Sequence, residues 1–150
     1  MKIFKTIGVT AVLVLGLFTI TACTTKGNVS EDEKDDSKKE TIFKVEIQED
    51  KHVKVFVQNA KKDSDVKATI TVSEGDQLFD NYSFHGNKKL TVEFYKKGTK
   101  GSKKPVFTEE IVGEGSGITS DIPAGEYEVY FIAKDKTLTG TYEIESKKGQ

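Results

Sequence analysis

His52 and His85 are the two histidines of this 150-residue chain, and the only side chains whose ordinary pKa suits proton transfer near neutral pH. Each lies in strand-like alternation between polar neighbours, the pattern of a solvent-facing sheet position rather than of a base held in a cleft. No serine has glycine at both −2 and +2, so the strained turn that exposes a hydrolase nucleophile is missing. Gly113-Glu114-Gly115-Ser116-Gly117 is followed by a strand pattern where a phosphate cradle needs a helix N-terminus, and it reads as a turn. Asp63-Ser64-Asp65 offers oxygens of the kind calcium takes, but the carboxylate spacing of a calcium loop fails at Lys67. Cys23 is the sole cysteine, and two histidines complete a donor set too small for a zinc site. The expectation is a non-catalytic chain with no cofactor and no metal; a hydrolase using His52 or His85 beside carboxylates is an alternative.

Binding chemistry has two stronger candidates. Lys96, Lys97, Lys100, Lys103 and Lys104 crowd one segment, with Lys88 and Lys89 close by and Glu93 opposing them. Such a cluster on one loop suits an anionic lipid surface or an anionic envelope polymer, or else keeps a strand edge soluble. Phe56, Tyr95, Tyr130 and Ile132 put apolar bulk on faces that the alternation turns outward, which predicts a partner site or a covering loop, with Tyr95 and Tyr130 as contact residues. Nucleic acid is not an expected partner: every one of the 23 basic residues is lysine, and the planar arginine fork that reads phosphates and bases is missing.

The elements that must carry these residues are strands. Phe43, Val45 and Ile47 alternate with Lys44, Glu46 and Gln48, and Val53, Val55 and Val57 repeat the pattern after a turn at Asp50-Lys51. Val66, Ala68, Ile70 and Val72 form a third stripe, Leu78 to Phe84 a less regular fourth, and Leu90, Val92 and Phe94 a fifth beyond a hairpin turn at Gly86-Asn87. Strands at 106–112 and 118–122 flank the glycine-rich turn. Tyr127, Val129, Phe131 and Ala133 then lead through a turn near Asp135-Lys136 into Leu138, Gly140, Tyr142 and Ile144, which reads as a β-hairpin. With no amphipathic helix between them, these short strands predict an all-β antiparallel sandwich or barrel.

The first 23 residues have a different logic. Lys2 and Lys5 precede an apolar run from Ile7 to Ile20, which closes on Ile20-Thr21-Ala22-Cys23. That order is a secretory signal, too short and too often broken by threonine to be read as a spanning helix. With cysteine after the cleavage site it resembles the lipobox of bacterial lipoproteins. The resemblance implies a signal peptide over 1–22, an acylated Cys23 at the mature N-terminus, and a membrane-anchored, outward-facing, extracytoplasmic protein. Removing Lys2 and Lys5 leaves 21 basic against 24 acidic residues, a net charge of −3. Residues 24–40 are charged and nearly free of apolar side chains, so 23–40 reads as the lipidated cysteine and a disordered linker ahead of a domain over 41–148.

Pro123-Ala124-Gly125-Glu126-Tyr127 narrows the fold class. It resembles the tyrosine corner of immunoglobulin-like domains, in which the hydroxyl of a residue placed like Tyr127 bonds back to upstream backbone. Val129 stands where antibody domains have their second cysteine, and the chain has no tryptophan. The expectation is therefore a generic sandwich, immunoglobulin-like or jelly-roll. A module of this kind, lipid-anchored and without catalysis, binds a ligand or protein partner; the alternative is a structural or assembly accessory of an envelope complex.

Overall fold

The structure, a computed structural model, describes residues 39–150, which form one compact unit. Cys23, the lipobox-like stretch and the linker up to residue 38 lie outside the described residues. Nine strands follow one another: β1 (Ile42–Gln48), β2 (His52–Ala60), β3 (Asp65–Val72), β4 (Asp76–Phe84), β5 (Lys89–Lys96), β6 (Phe107–Val112), β7 (Glu114–Thr119), β8 (Gly125–Ala133) and β9 (Leu138–Lys148). They build two antiparallel sheets, one in the order β1-β2-β9-β4-β7 and the other β3-β8-β5-β6.

Period-two alternation is the cause. Val53, Val55 and Val57 of β2, Leu78 and Phe84 of β4, and Tyr142 and Ile144 of β9 are buried on the inner face of the first sheet. Ala68, Ile70 and Val72 of β3, Leu90, Val92 and Phe94 of β5, and Tyr127, Val129 and Phe131 of β8 meet them from the second. Each large aliphatic or aromatic side chain buried this way stabilises the fold by about 1.5–3 kcal/mol before entropy is counted. Phe43 and Val45 are only half-buried because β1 is an edge strand.

Two expected hairpins are absent. β8 and β9 are consecutive but lie in different sheets, β8 paired with β3 and β5 and β9 with β2 and β4. The turn at Asp135-Lys136 carries the chain across the sandwich instead of returning it beside itself. Gly86-Asn87 does the same between β4 and β5. Only β1–β2 and β5–β6 pair directly with a neighbour in sequence. In an immunoglobulin fold the last two strands share a sheet; here the repeated crossings make the sandwich a jelly roll.

The glycine-rich stretch is also no turn. Residues 114–119 form β7, and the chain bends at Gly113 alone, whose φ of 73° lies in the left-handed region. β6 and β7 are thus nearly one strand that leaves the second sheet at Gly113 and joins the first. Ile122, expected to end a strand at 118–122, is instead a buried loop residue.

The sandwich has two distinguishable ends. At one, here called the entry end, Ile42 pairs with Gln58, Thr137 N–H donates to Ala60 O, Asp63 N–H to Ala133 O, and Lys134 N–H to Lys89 O. At the far end, Thr71 pairs with Glu126 and donates its N–H to Asp50 O, and Lys97 N–H donates to Glu126 O.

Candidate functional site

The lysine segment is the connection between β5 and β6, at the far end. Turns hold it: Thr99 N–H donates to Lys96 O, and Ser102 and Lys103 N–H both donate to Thr99 O. It does not project as a free basic loop. Lys97 Nζ lies 2.9 Å from a Glu126 carboxylate oxygen, which pushes the Lys97 ammonium pKa up. Gly98 N–H donates to Glu128, whose carboxylate is held below its usual range, first by Lys67 and then by this bond. Lys100 Nζ sits 3.2 Å from the centroid of Tyr130 and 5.7 Å from that of Tyr95.

The two expected binding features are thereby one. Tyr95 on β5 and Tyr130 on β8 meet edge to face at 5.7 Å, and the lysine loop covers them. Tyr95 is buried at 8 % exposure; burial, then the bond its hydroxyl donates to Glu93, raises its pKa. Phe56 does not belong to this patch, because β2 lies in the other sheet, where Lys44 stands over the Phe56 ring. The outer aromatics are a covered surface in the second sheet, and the expectation of a single four-residue patch fails for Phe56. Lys96, Lys103 and Lys104 are exposed and have no ion pair among the described residues.

Tyr127 is fully buried, and its hydroxyl donates to Pro123 O at 2.5 Å. The corner bond is therefore present on a jelly-roll topology. Beside it at the far end, Ser73, Glu74, Gln77, Ser120 and Ile122 line a cavity of about 540 Å³. Asp76, on its wall, is committed to structure: one carboxylate oxygen accepts from Lys51 Nζ at 2.6 Å, Ser146 Oγ at 3.0 Å and Ser73 N–H at 3.2 Å.

His52 and His85 are not brought together. His52 Nε2 is 2.6 Å from Glu143 on the outer face of the first sheet, with Glu49 at 3.8 Å from Nδ1. This histidine is more engaged than a plain solvent-facing residue, but it has no cleft around it. His85 is exposed just beyond β4. Asp63 faces Lys134 at 3.9 Å.

An interior acid cluster escaped the sequence reading. Asp80 of β4 points inward at 7 % exposure, and burial raises its pKa against the pull of the backbone amides of Asp80 and Gly117. Glu109 of β6 is raised by burial and then by the Asp80 charge. Tyr142 is raised far more strongly by burial, with Asp80, Glu109 and Tyr82 adding to it. Gly117 lies under Asp80 so closely that a Cβ there would come within 2.5 Å of the carboxylate. Asp80 Oδ2 and the Tyr142 hydroxyl have no hydrogen-bond partner among the described residues and almost no accessible surface. A substrate does not reach atoms so enclosed.

The class defined by this geometry is the antiparallel jelly-roll sandwich. No protein-family model matches the chain, and no curated protein does. Among solved structures it is similar to BH2720 from Bacillus halodurans (11 % identity, TM-score 0.38, 76 % of each chain covered). It is also similar to PirA (12 %, 0.37, 71 % of this chain and 93 % of that one) and to a cupin domain from Bordetella pertussis Tohama I (15 %, 0.36, again 71 % and 93 %). At these scores the likenesses carry no functional argument.

Proposed function

We propose that the chain is a lipid-anchored, extracytoplasmic lipoprotein whose jelly-roll domain is a non-catalytic binding module presenting its far end to an anionic envelope polymer or protein partner. The observation that carries this reading is the polarity of the domain. The chain arrives from Cys23 at the entry end, where Glu40 O accepts from Asn59 Nδ2 at 3.2 Å and Ile42 begins β1. The exposed Lys96, Lys103 and Lys104 and the 540 Å³ cavity lie at the opposite end, away from the attachment. Support for binding over hydrolysis comes from His52, whose carboxylate partners hold it on an open sheet face.

The test has two parts. Mass spectrometry of the N-terminal peptide from membranes should find acyl chains on Cys23, and Cys23→Ala should abolish labelled fatty-acid uptake; an unmodified wild-type cysteine refutes the anchor. Purified residues 39–150 should be retained on anionic wall polymer, and Lys96→Gln, Lys103→Gln and Lys104→Gln together should release them. Retention unchanged by those substitutions refutes the far-end assignment.

A further inference from the structure

At the entry end, Asn59, Ala60, Lys61, Lys62, Lys136 and Thr137 line a cavity of about 430 Å³. Its wall carries three ammonium groups and no carboxylate. Lys61, Lys62 and Lys136 are exposed, and none has an ion pair among the described residues. The neighbouring cavity is different: there Lys89 pairs with Glu110 at 2.8 Å and Lys134 faces Asp63 at 3.9 Å. Positive charge left unanswered in one of two adjacent cavities, beside one whose lysines face carboxylates, points to an anion from outside.

The backbone marks the same place. The three non-glycine residues with positive φ among the described residues are Asn59 at 50°, Asp63 at 62° and Thr137 at 59°, and all lie at this end. Asn59 and Thr137 line the lysine cavity itself. A β-branched residue rarely adopts this conformation, and such strain persists only where surrounding bonds impose it. Here Thr137 N–H donates to Ala60 O, Lys88 Nζ bonds Thr137, and Asn59 N–H donates to Thr139 Oγ1 at 3.0 Å. The cavity wall is therefore fixed in shape before any ligand arrives.

We propose that this cavity is a docking site for the phosphate of anionic lipid headgroups, so that the domain rests its entry end on the bilayer to which it is anchored. The proposal rests on the lipid-anchor reading for its setting. The 18 residues from Cys23 to Glu40 end beside the cavity, because Asn59 on its wall holds Glu40 O. An acyl chain attached so few residues from the cavity raises the effective concentration of headgroups there. A weak phosphate site is then sufficient.

The test is flotation of residues 39–150, which carry all nine strands and their own core, with vesicles of phosphatidylglycerol or of phosphatidylcholine. Flotation is expected with the anionic vesicles alone, fading as salt rises. Lys61→Glu, Lys62→Glu and Lys136→Glu together should weaken it by at least on the order of a hundredfold, and by more than the same charge change in the far-end variant Lys96→Glu, Lys103→Glu and Lys104→Glu does. An unchanged thermal melt confirms that each variant folds, and Lys→Gln versions give the same ranking at smaller size. Displacement by inorganic phosphate, with shifts at the Asn59 and Thr137 amides, assigns the site to the phosphate group alone; flotation persisting in phosphate assigns it to the assembled headgroup surface. Equal flotation with both vesicle types, or loss in the far-end variant but not the entry-end variant, overturns the proposal. Because this unit lacks Cys23, an unacylated Cys23 in cells would refute the anchor without touching the site.

Discussion

Lys100 holds its ammonium 3.2 Å from the centroid of the Tyr130 ring, and this contact pins the lysine loop to the outer face of the second sheet. A cation over an aromatic face at a partly exposed site contributes about 1 kcal/mol. Lys100→Ala or Tyr130→Ala should accordingly speed amide exchange at Gly98 to Lys103 about fivefold, with little change in global stability. Exchange spread evenly over the domain would contradict this local role.

Tyr127→Phe removes only the hydroxyl that donates to Pro123 O at 2.5 Å. The ring keeps its packing against Phe94, at 6.3 Å between centroids, but a carbonyl is left without its donor. A loss of about 1–2 kcal/mol is expected, read as a lower urea midpoint at unchanged slope.

Asp80 and Asp76 should give opposite pH dependences. Burial raises the folded pKa of Asp80, so its contribution to stability is fully present below the unfolded value of about 3.9 and is lost as pH rises through the raised folded value. Glu109 acts in the same direction. The bond from Lys51 lowers the folded pKa of Asp76, whose contribution is present above about 3.9 and is lost as pH falls through the lowered value. Asp80→Asn should raise the denaturation midpoint at pH 7 more than at pH 4. Asp76→Asn should lower it at pH 7 and do less harm below pH 3.

Gly113→Ala tests the bend between β6 and β7. Open space surrounds the added methyl group, so the cost is that of the left-handed backbone alone, about 1–2 kcal/mol. A loss larger than this would mean that the bend is packed rather than merely turned.

The inner stripes were legible because alternation depends on the chain alone. Val53, Val55 and Val57 announce a buried face whichever strand lies beside them. Partnership was not legible. A turn at Asp135-Lys136 says that the chain reverses, but whether it returns in the same sheet depends on what β9 finds between β2 and β4, strands more than fifty residues earlier. Phe56 was grouped with Tyr95 and Tyr130 for the same reason. Asp80 and Glu109 carry no signal in their own neighbourhoods; they share one interior because β4 and β6 lie in the two facing sheets. The lysine cluster was visible, yet its partners Glu126 and Glu128 come from β8, and the sequence offered Glu93 in their place.

The direction of β1 has a mechanical consequence. The strand begins at the entry end, where Ile42 pairs with Gln58, and runs to the far end, where Gln48 pairs with Val53. A pull on the chain ahead of Ile42, resisted at the far end, acts along the strand axis. It loads the hydrogen bonds between β1 and β2 together, in shear, instead of opening them one at a time from an end. An edge strand is the easiest part of a sheet to peel, and this one is placed so that tension on its leading end does not peel it.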